Sequence, residues 1–223
     1  MELNADFTKR VVVRPEEYHW RPSPANGVER MMLDRIGDEV ARATTLVKFA
    51  PNRAFDRHSH GGGEEFLVLD GVFSDEHADY PAGTYVRNPI GTAHTPHIGP
   101  EGAVILVKLC QFDVADTEQV VIDTRSAAFL HGSEDGLSIL PLHQHGPEVV
   151  RLVRFAPGSR LSIQDQWGGK EVYVIEGVLQ DDHGKYPAGT WLRSPDRSQD
   201  APFSDEGCLI FIKTGHLPAS NGG

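Results

Sequence analysis

Glu76-His77-Ala78-Asp79-Tyr80-Pro81-Ala82-Gly83-Thr84-Tyr85 returns later in the chain as Asp182-His183-Gly184-Lys185-Tyr186-Pro187-Ala188-Gly189-Thr190-Trp191. The likeness spreads outward from both copies. Val11-Val12-Val13-Arg14 answers Val120-Val121-Ile122-Asp123, and Leu46-Val47-Lys48-Phe49-Ala50-Pro51 answers Leu152-Val153-Arg154-Phe155-Ala156-Pro157. Gly62-Gly63 and Glu65 answer Gly168-Gly169 and Glu171, and Val107-Lys108 answers Ile212-Lys213. The copies run over about 9–109 and 118–213, which divides the 223 residues into two similar domains, expected at 1–110 and 118–223. Each is near the lower size for an independent core, so the two are expected to pack on each other. The connector 110–117 has neither Gly nor Pro and is expected to be an ordered crossing.

Within each copy the pattern is one of short strands. Segments 44–49, 66–69, 84–87 and 103–109 are rich in branched and aromatic residues and are bounded by Gly, Pro, Asp and Asn. Pro81-Ala82-Gly83 and Pro187-Ala188-Gly189 read as turns leading into a strand. Only 28–35 and 126–130 hint at a helix. Many short strands at regular spacing predict an all-β fold, a barrel or jelly roll, in each copy.

Composition narrows the function. The formal charge of −11 repels phosphate backbones and argues against nucleic acid as a partner. No apolar run approaches the 18 or so residues of a membrane span, and the first residues lack the basic and apolar regions of a signal peptide. A cytoplasmic protein without a membrane partner is the expectation. Cys110 and Cys208 are too few for a disulfide framework and read as small core residues.

The copies differ where chemistry would sit. The first carries His58, His60, Glu64 and His94; the matching residues of the second are Gln164, Gln166, Lys170 and Asp200. On a strand, His58 and His60 face the same side. Three imidazoles and a carboxylate converging inside a barrel suit a divalent cation. Glu65 is the rival carboxylate. It persists as Glu171 in the copy without histidines, as a structural residue would, whereas Glu64 changes together with the histidines. Lys170 and Asp200 are expected to pair, the ammonium standing where the first copy would hold its ion. His143 and His145 repeat the two-residue spacing but fall outside the motif, on what reads as a surface strand. His77 and His183, like Arg87 and Arg193, occur in both copies and read as structural. Asp75-Glu76-His77-Ala78-Asp79 reads as a solvated acidic hairpin.

His58-Ser59-His60, three residues, Glu64, six residues, Gly71 resembles the first cupin motif, and Gly83, five residues, Pro89-Ile90-Gly91, two residues, His94 resembles the second. Ile98 stands where the second motif ends in Asn. The resemblance covers nearly the whole chain and implies two cupin jelly-roll barrels in tandem, with His58, His60, Glu64 and His94 as metal ligands. The segments 62–76 and 80–89 are similar to the cupin of ChrR-type anti-sigma factors. That family implies bound zinc; iron, manganese or nickel are other ions that the same donors suit. It also implies transcription regulation in an oxidative or singlet-oxygen stress response, with a sigma factor or other protein as partner. The family's sigma-binding helical domain and its His-x-x-x-Cys-x-x-Cys ligands have no counterpart in this sequence. The alternative is an enzyme, a metal-dependent cupin dioxygenase acting on a small molecule in a pocket shaped by Phe55, Phe66, Tyr85 and His97. No acid–base pair or nucleophile motif names catalytic residues or a substrate. Sheet edges need cover, from the sister copy or from a homodimer.

Overall fold

Branched and aromatic runs punctuated by Gly and Pro build strands from end to end. The computed structural model describes residues 1–38, 40–162 and 168–217. Among them the one helical element is a single 3-10 turn at Pro15–Glu17, and no helix is long and apolar enough to cross a membrane. The fold is all-β, two jelly rolls in tandem, as the sequence predicts.

Two compact units result, Met1–Ala5 with His19–Ala127, and Asp6–Tyr18 with Ala128–Gly223. In the first, the sheet order is Glu2–Leu3, Val28–Gly37, Ala41–Phe49, His97–Leu109, Glu64–Ser74, Thr84–Asn88, Val120–Asp123. In the second it is Leu130–His131, Leu137–His145, Glu148–Phe155, Cys208–Thr214, Lys170–Asp181, Trp191–Ser194, Val11–Val13. The two orders match strand for strand, and every pairing in them is antiparallel.

The last strand of each sheet comes from the other repeat. Val120–Asp123, which opens the second copy in sequence, pairs with Thr84–Asn88 in the first unit. Val11–Val13, which opens the first copy, pairs with Trp191–Ser194 in the second. The flanking residues are tied in the same way. Arg87, fully buried, pairs with Asp116 and stacks on Phe112 at 4.0 Å. Arg193, also fully buried, donates to the Asp6 carbonyl at 3.0 Å and stacks on Phe7 at 4.5 Å. The segment 110–117 is therefore ordered within the first unit, with Gln111 also donating to the Ala43 carbonyl at 2.8 Å. Arg87 and Arg193 do the structural work their persistence suggested.

Neither helical hint survives. Residues 28–35 lie in the strand Val28–Gly37, whose register slips between Met32 and Asp34. That bulge breaks the two-residue period and leaves Val28, Met31, Leu33, Asp34 and Arg35 buried, a spacing that mimics a helix. Residues 126–130 follow a turn in which Asp123 accepts from the Arg125 amide, and the chain then extends as Leu130–His131.

Each sandwich has its own core. Phe66, Val68, Phe73, Val86 and Ile105 fill the first, joined by Ile98 at the position where the cupin motif has Asn. Leu137, Val153, Phe155, Val174 and Ile210 fill the second. Gly71 and Gly177 have φ of +67° and +72°, and a Cβ on either would lie 2.1 Å from the carbonyl oxygen of Gly102 or Gly207. This close backbone approach is what the motif glycine provides. Cys208 is buried, which pushes its thiol up to about 11, and Cys110 is half-buried; both are free thiols.

Val12 packs against the second core, so Val12→Asp should loosen that unit selectively. Hydrogen exchange is expected to accelerate in Trp191–Ser194 and Lys170–Asp181 while Glu64–Ser74 keeps its protection; the reverse pattern would contradict the strand assignment.

Candidate metal centre

The strand His58–Ser59 pairs with Ala93–His94, and the register sets His94 opposite His58. The His60 amide donates to the Thr92 carbonyl at 2.9 Å, and the Gly91 amide returns a bond to the His60 carbonyl at 3.0 Å. The glycine turn then delivers Glu64 to the head of Glu64–Ser74, opposite Asn88. At Gly63, φ is +77° and a Cβ would lie 2.3 Å from the Phe112 ring, so only glycine fits the turn. The three imidazole centroids stand 4.7–5.5 Å apart. One ligand atom from each of His58, His60, Glu64 and His94 lies within 4.8 Å of the others, and this cluster could hold a metal ion. His60, Glu64 and His94 are buried; His58 is exposed.

The surroundings fix which nitrogen each ring offers. His60 Nδ1 donates to Thr92 Oγ1 at 2.9 Å, and the Thr92 hydroxyl donates onward to the Pro89 carbonyl at 2.7 Å. His94 Nδ1 donates to Asp75 Oδ2 at 3.3 Å, and His58 Nδ1 to the Asp56 carbonyl at 3.1 Å. With all three Nδ1 engaged, the Nε2 lone pairs are free to coordinate, the arrangement that holds metal-ligating histidines. The Nε2 atoms of His60 and His94 are buried without a hydrogen-bond partner among the described residues. Both stand near Glu64 Oε2, at 3.4 and 3.7 Å. Buried orphan acceptors grouped around a carboxylate fit a cation.

Electrostatics point the same way. Burial, reinforced by His94 and His58, lowers His60 to about 4. Burial and His58 also lower His94, against the opposing pull of Asp75. The short His60–Glu64 contact is therefore a neutral imidazole beside a carboxyl group and not an ion pair. Burial raises Glu64 to about 7, the bond from Asn88 opposes this, and the Asp75 charge adds to it. A cation would relieve the cost of burying Glu64 as an anion.

The structure brings the four sequence candidates together and sends Glu65 elsewhere. Glu65 accepts from Tyr85 at 2.7 Å and faces Arg87 at 3.4 Å, both fully buried. Tyr85 and Phe66 thus belong to the core, and His97 is exposed; none of the three lines the cavity beside the site, although Phe55 does. That cavity, about 720 Å3, is lined by His58, Glu64 and His94 together with Phe49, Phe73 and Arg30. His143 is buried on Leu137–His145, contrary to the surface strand expected there, and joins no metal-like cluster among the described residues.

Sequence reasoning missed Asp75, Asn88 and Thr92. Its sequence surroundings suggest a solvated hairpin, but Asp75 is buried and accepts from the His77 and Ala78 amides at 2.8 and 3.1 Å, from Tyr80 and from His94. A signal was present: Asp181 and Tyr186 stand at the same positions of the second copy and make the same bond, at 2.7 Å.

In the second unit, Gln164 and Gln166 lie outside the described residues. Lys170 and Asp200 form the expected pair at 3.1 Å, both side chains buried, and Ser194 donates to the same Asp200 oxygen at 2.7 Å. Burial raises the Asp200 carboxyl, but Lys170 and Ser194 outweigh it and the net shift is downward from 3.8. Its contribution to stability is therefore present above that ordinary value and lost as the pH falls through the lower folded one.

Two jelly rolls in tandem, one holding three histidines and a glutamate at its mouth, define a bicupin. Sequence profiles of the ChrR cupin-like domain match residues 8–113 and 117–218, and the chain belongs to that family. No curated protein sequence matches it. Among solved structures it is similar to a proposed dioxygenase from Nostoc punctiforme, with 15% identity over 97% of this chain and 88% of that one and a TM-score of 0.76. A proposed glyoxylate-induced protein from Pseudomonas aeruginosa matches with 14% identity over 96% and 91% and a TM-score of 0.77. The pirin YhhW of Escherichia coli, solved in complex with nickel(II), matches with 13% identity over 95% and 100% and a TM-score of 0.65.

Asp75→Asn keeps the turn but weakens the acceptor behind His94; metal affinity by chelator competition should fall about 10–100-fold, and an unchanged affinity would separate Asp75 from the site. Lys170→Met strands Asp200 in the interior and should cost about 3–5 kcal/mol in chemical denaturation, most of it recovered in Lys170→Met/Asp200→Leu.

Proposed function

We propose that this chain uses one divalent cation, held by His58, His60, Glu64 and His94, to bind a small organic acid and act on it. The observation that carries the reading is the cavity of about 720 Å3 against which His58, Glu64 and His94 stand. A structural ion is enclosed by protein donors, whereas a catalytic one keeps a position for water or substrate. The volume is that of a small-molecule site. Its walls combine Phe49, Phe55 and Phe73 with Arg30, Arg35 and Arg53, which suits a ligand with an apolar body and an anionic group.

The bound cation would supply Lewis acidity or, as iron, dioxygen activation. The chain's own residues do the rest. Asp75, Thr92 and the Asp56 carbonyl hold the imidazoles in one tautomer. Asn88 steadies Glu64 by a bond of 3.2 Å. The phenylalanines exclude water, and the arginines orient the acid.

A second reading rests on the family match over both repeats. It makes the chain a zinc-loaded sensor that passes an oxidative or singlet-oxygen signal to a protein partner, a sigma factor or another regulator of transcription. Metal analysis with X-ray absorption on the purified protein separates the two. The first reading expects one divalent ion per chain carrying an exogenous oxygen donor that a small carboxylic acid displaces. A four-coordinate zinc held by protein donors alone, indifferent to acids and without dioxygen uptake, overturns it in favour of the sensor.

A further inference from the structure

The cavity beside the histidine cluster has a second polar end. On the sheet that lines it, one cross-strand row runs Arg35, Ala43, Leu109, Glu64. A neighbouring row runs Arg30, Val47, Ile105, Val68. Arg35 and Glu64 thus end the same row three strands apart, about 14 Å along the sheet at the usual strand spacing. Both line the cavity, and so does Arg30. Arg30 and Arg35 are five positions apart, and an unbroken strand would send them to opposite faces. The bulge between Met32 and Asp34 returns them to one face. Arg35 is buried, and its guanidinium gives one of its five donors to the Asp38 carbonyl. Between the two ends the same sheet presents Val47, Ile105, Val107 and Leu109 to the cavity. Phe73, whose ring centroid lies 5.9 Å from that of His94, and Phe49 extend this apolar wall.

The second copy serves as an internal control. Gly27-Val28 answers Gly136-Leu137, and the bulge recurs between Pro141 and His143. Arg30 and Arg35 are therefore matched by Ile139 and Gln144. Ile139 packs against the apolar core of its unit, and Gln144 is exposed. The fold does not require a guanidinium at either position. Both arginines stand only in the copy that carries His58, His60, Glu64 and His94. Across the whole chain the formal charge is −11, which repels a dianion at long range. A local cationic end is what such a ligand needs to enter.

We propose, resting on the reading of a cation-bound organic acid given above, that the ligand is a dicarboxylic acid. One carboxylate joins the cation held by His58, His60, Glu64 and His94. The other pairs with Arg35 and Arg30, and the spacer lies along the apolar wall between them. Arg30 and Arg35 are then specificity-determining residues. A monocarboxylic acid of the same length sets a methyl group against the guanidinium groups and forfeits their charge-assisted hydrogen bonds.

The test uses the full chain loaded with cobalt(II), whose visible absorption reports a change of donor at the metal. It is titrated with succinate, glutarate and adipate, and in parallel with butyrate, pentanoate and hexanoate, at constant ionic strength. The best diacid is expected to bind about 10–100-fold more tightly than the monoacid of equal carbon count. Arg30→Ile/Arg35→Gln installs the residues of the second copy and should bring that ratio close to unity, whereas Arg35→Lys should keep part of it. The wild-type comparison needs no variant and decides the question even where the double variant fails to fold. Diacids that bind wild type no better than their monoacids overturn the proposal and leave the organic-acid reading standing. An undiminished ratio in the folded double variant also overturns it. A cobalt spectrum that no acid alters overturns the organic-acid reading itself, and this proposal with it.

Discussion

The first residue of the long central strand buries a charge in each unit, and the chemistry of each barrel mouth follows from its sign. Glu64 and Lys170 occupy equivalent positions, each facing the strand that leads out of the Pro-Ala-Gly turn, opposite Asn88 and Ser194. A buried charge must be matched within a few ångströms or it destabilises the fold. Around Glu64 the chain collects imidazoles whose outer nitrogens are already committed, so that a cation is the natural complement. Around Lys170 it supplies Asp200.

One carboxylate links these two solutions. Asp75 and Asp181 close the same hairpin, each accepting from two turn amides and from a tyrosine hydroxyl. The remaining capacity differs: Asp75 receives His94, and Asp181 receives Arg10. A turn that stabilises both copies has thus been drawn into the site of one and the charge balance of the other. The same economy appears in Glu65 and Glu171, which remain buried in both units while their neighbours change sign.

Much of the fold was legible because the repeat checks itself. Strand positions came from branched and aromatic runs between Gly, Pro, Asp and Asn, the two-domain layout and the preference for Glu64 over Glu65 drew on the comparison of two copies in one chain, and the structure gathers His58, His60, Glu64 and His94 at one point. What escaped has physical causes. The bulge at Met32–Asp34 shifted the burial period of its strand toward that of a helix. Asp75 sits in a run of exposed acidic and polar residues, and only its hydrogen bonds distinguish it. The partner of a strand depends on long-range pairing, so no local pattern could tell that Val11–Val13 and Val120–Asp123 join sheets built from the opposite repeat.

That exchange bears on how the chain is made. On the ribosome, Val11–Val13 emerges long before Trp191–Ser194, and must wait with an unpaired edge while most of the protein is synthesised. The first sheet is complete only after Asp123 has left the exit tunnel, by which time the second repeat has begun. A gene cut between the repeats would encode two fragments that each lack a strand and carry a spare one. The two repeats can therefore complete their sheets only together, although only one of them carries the histidine cluster.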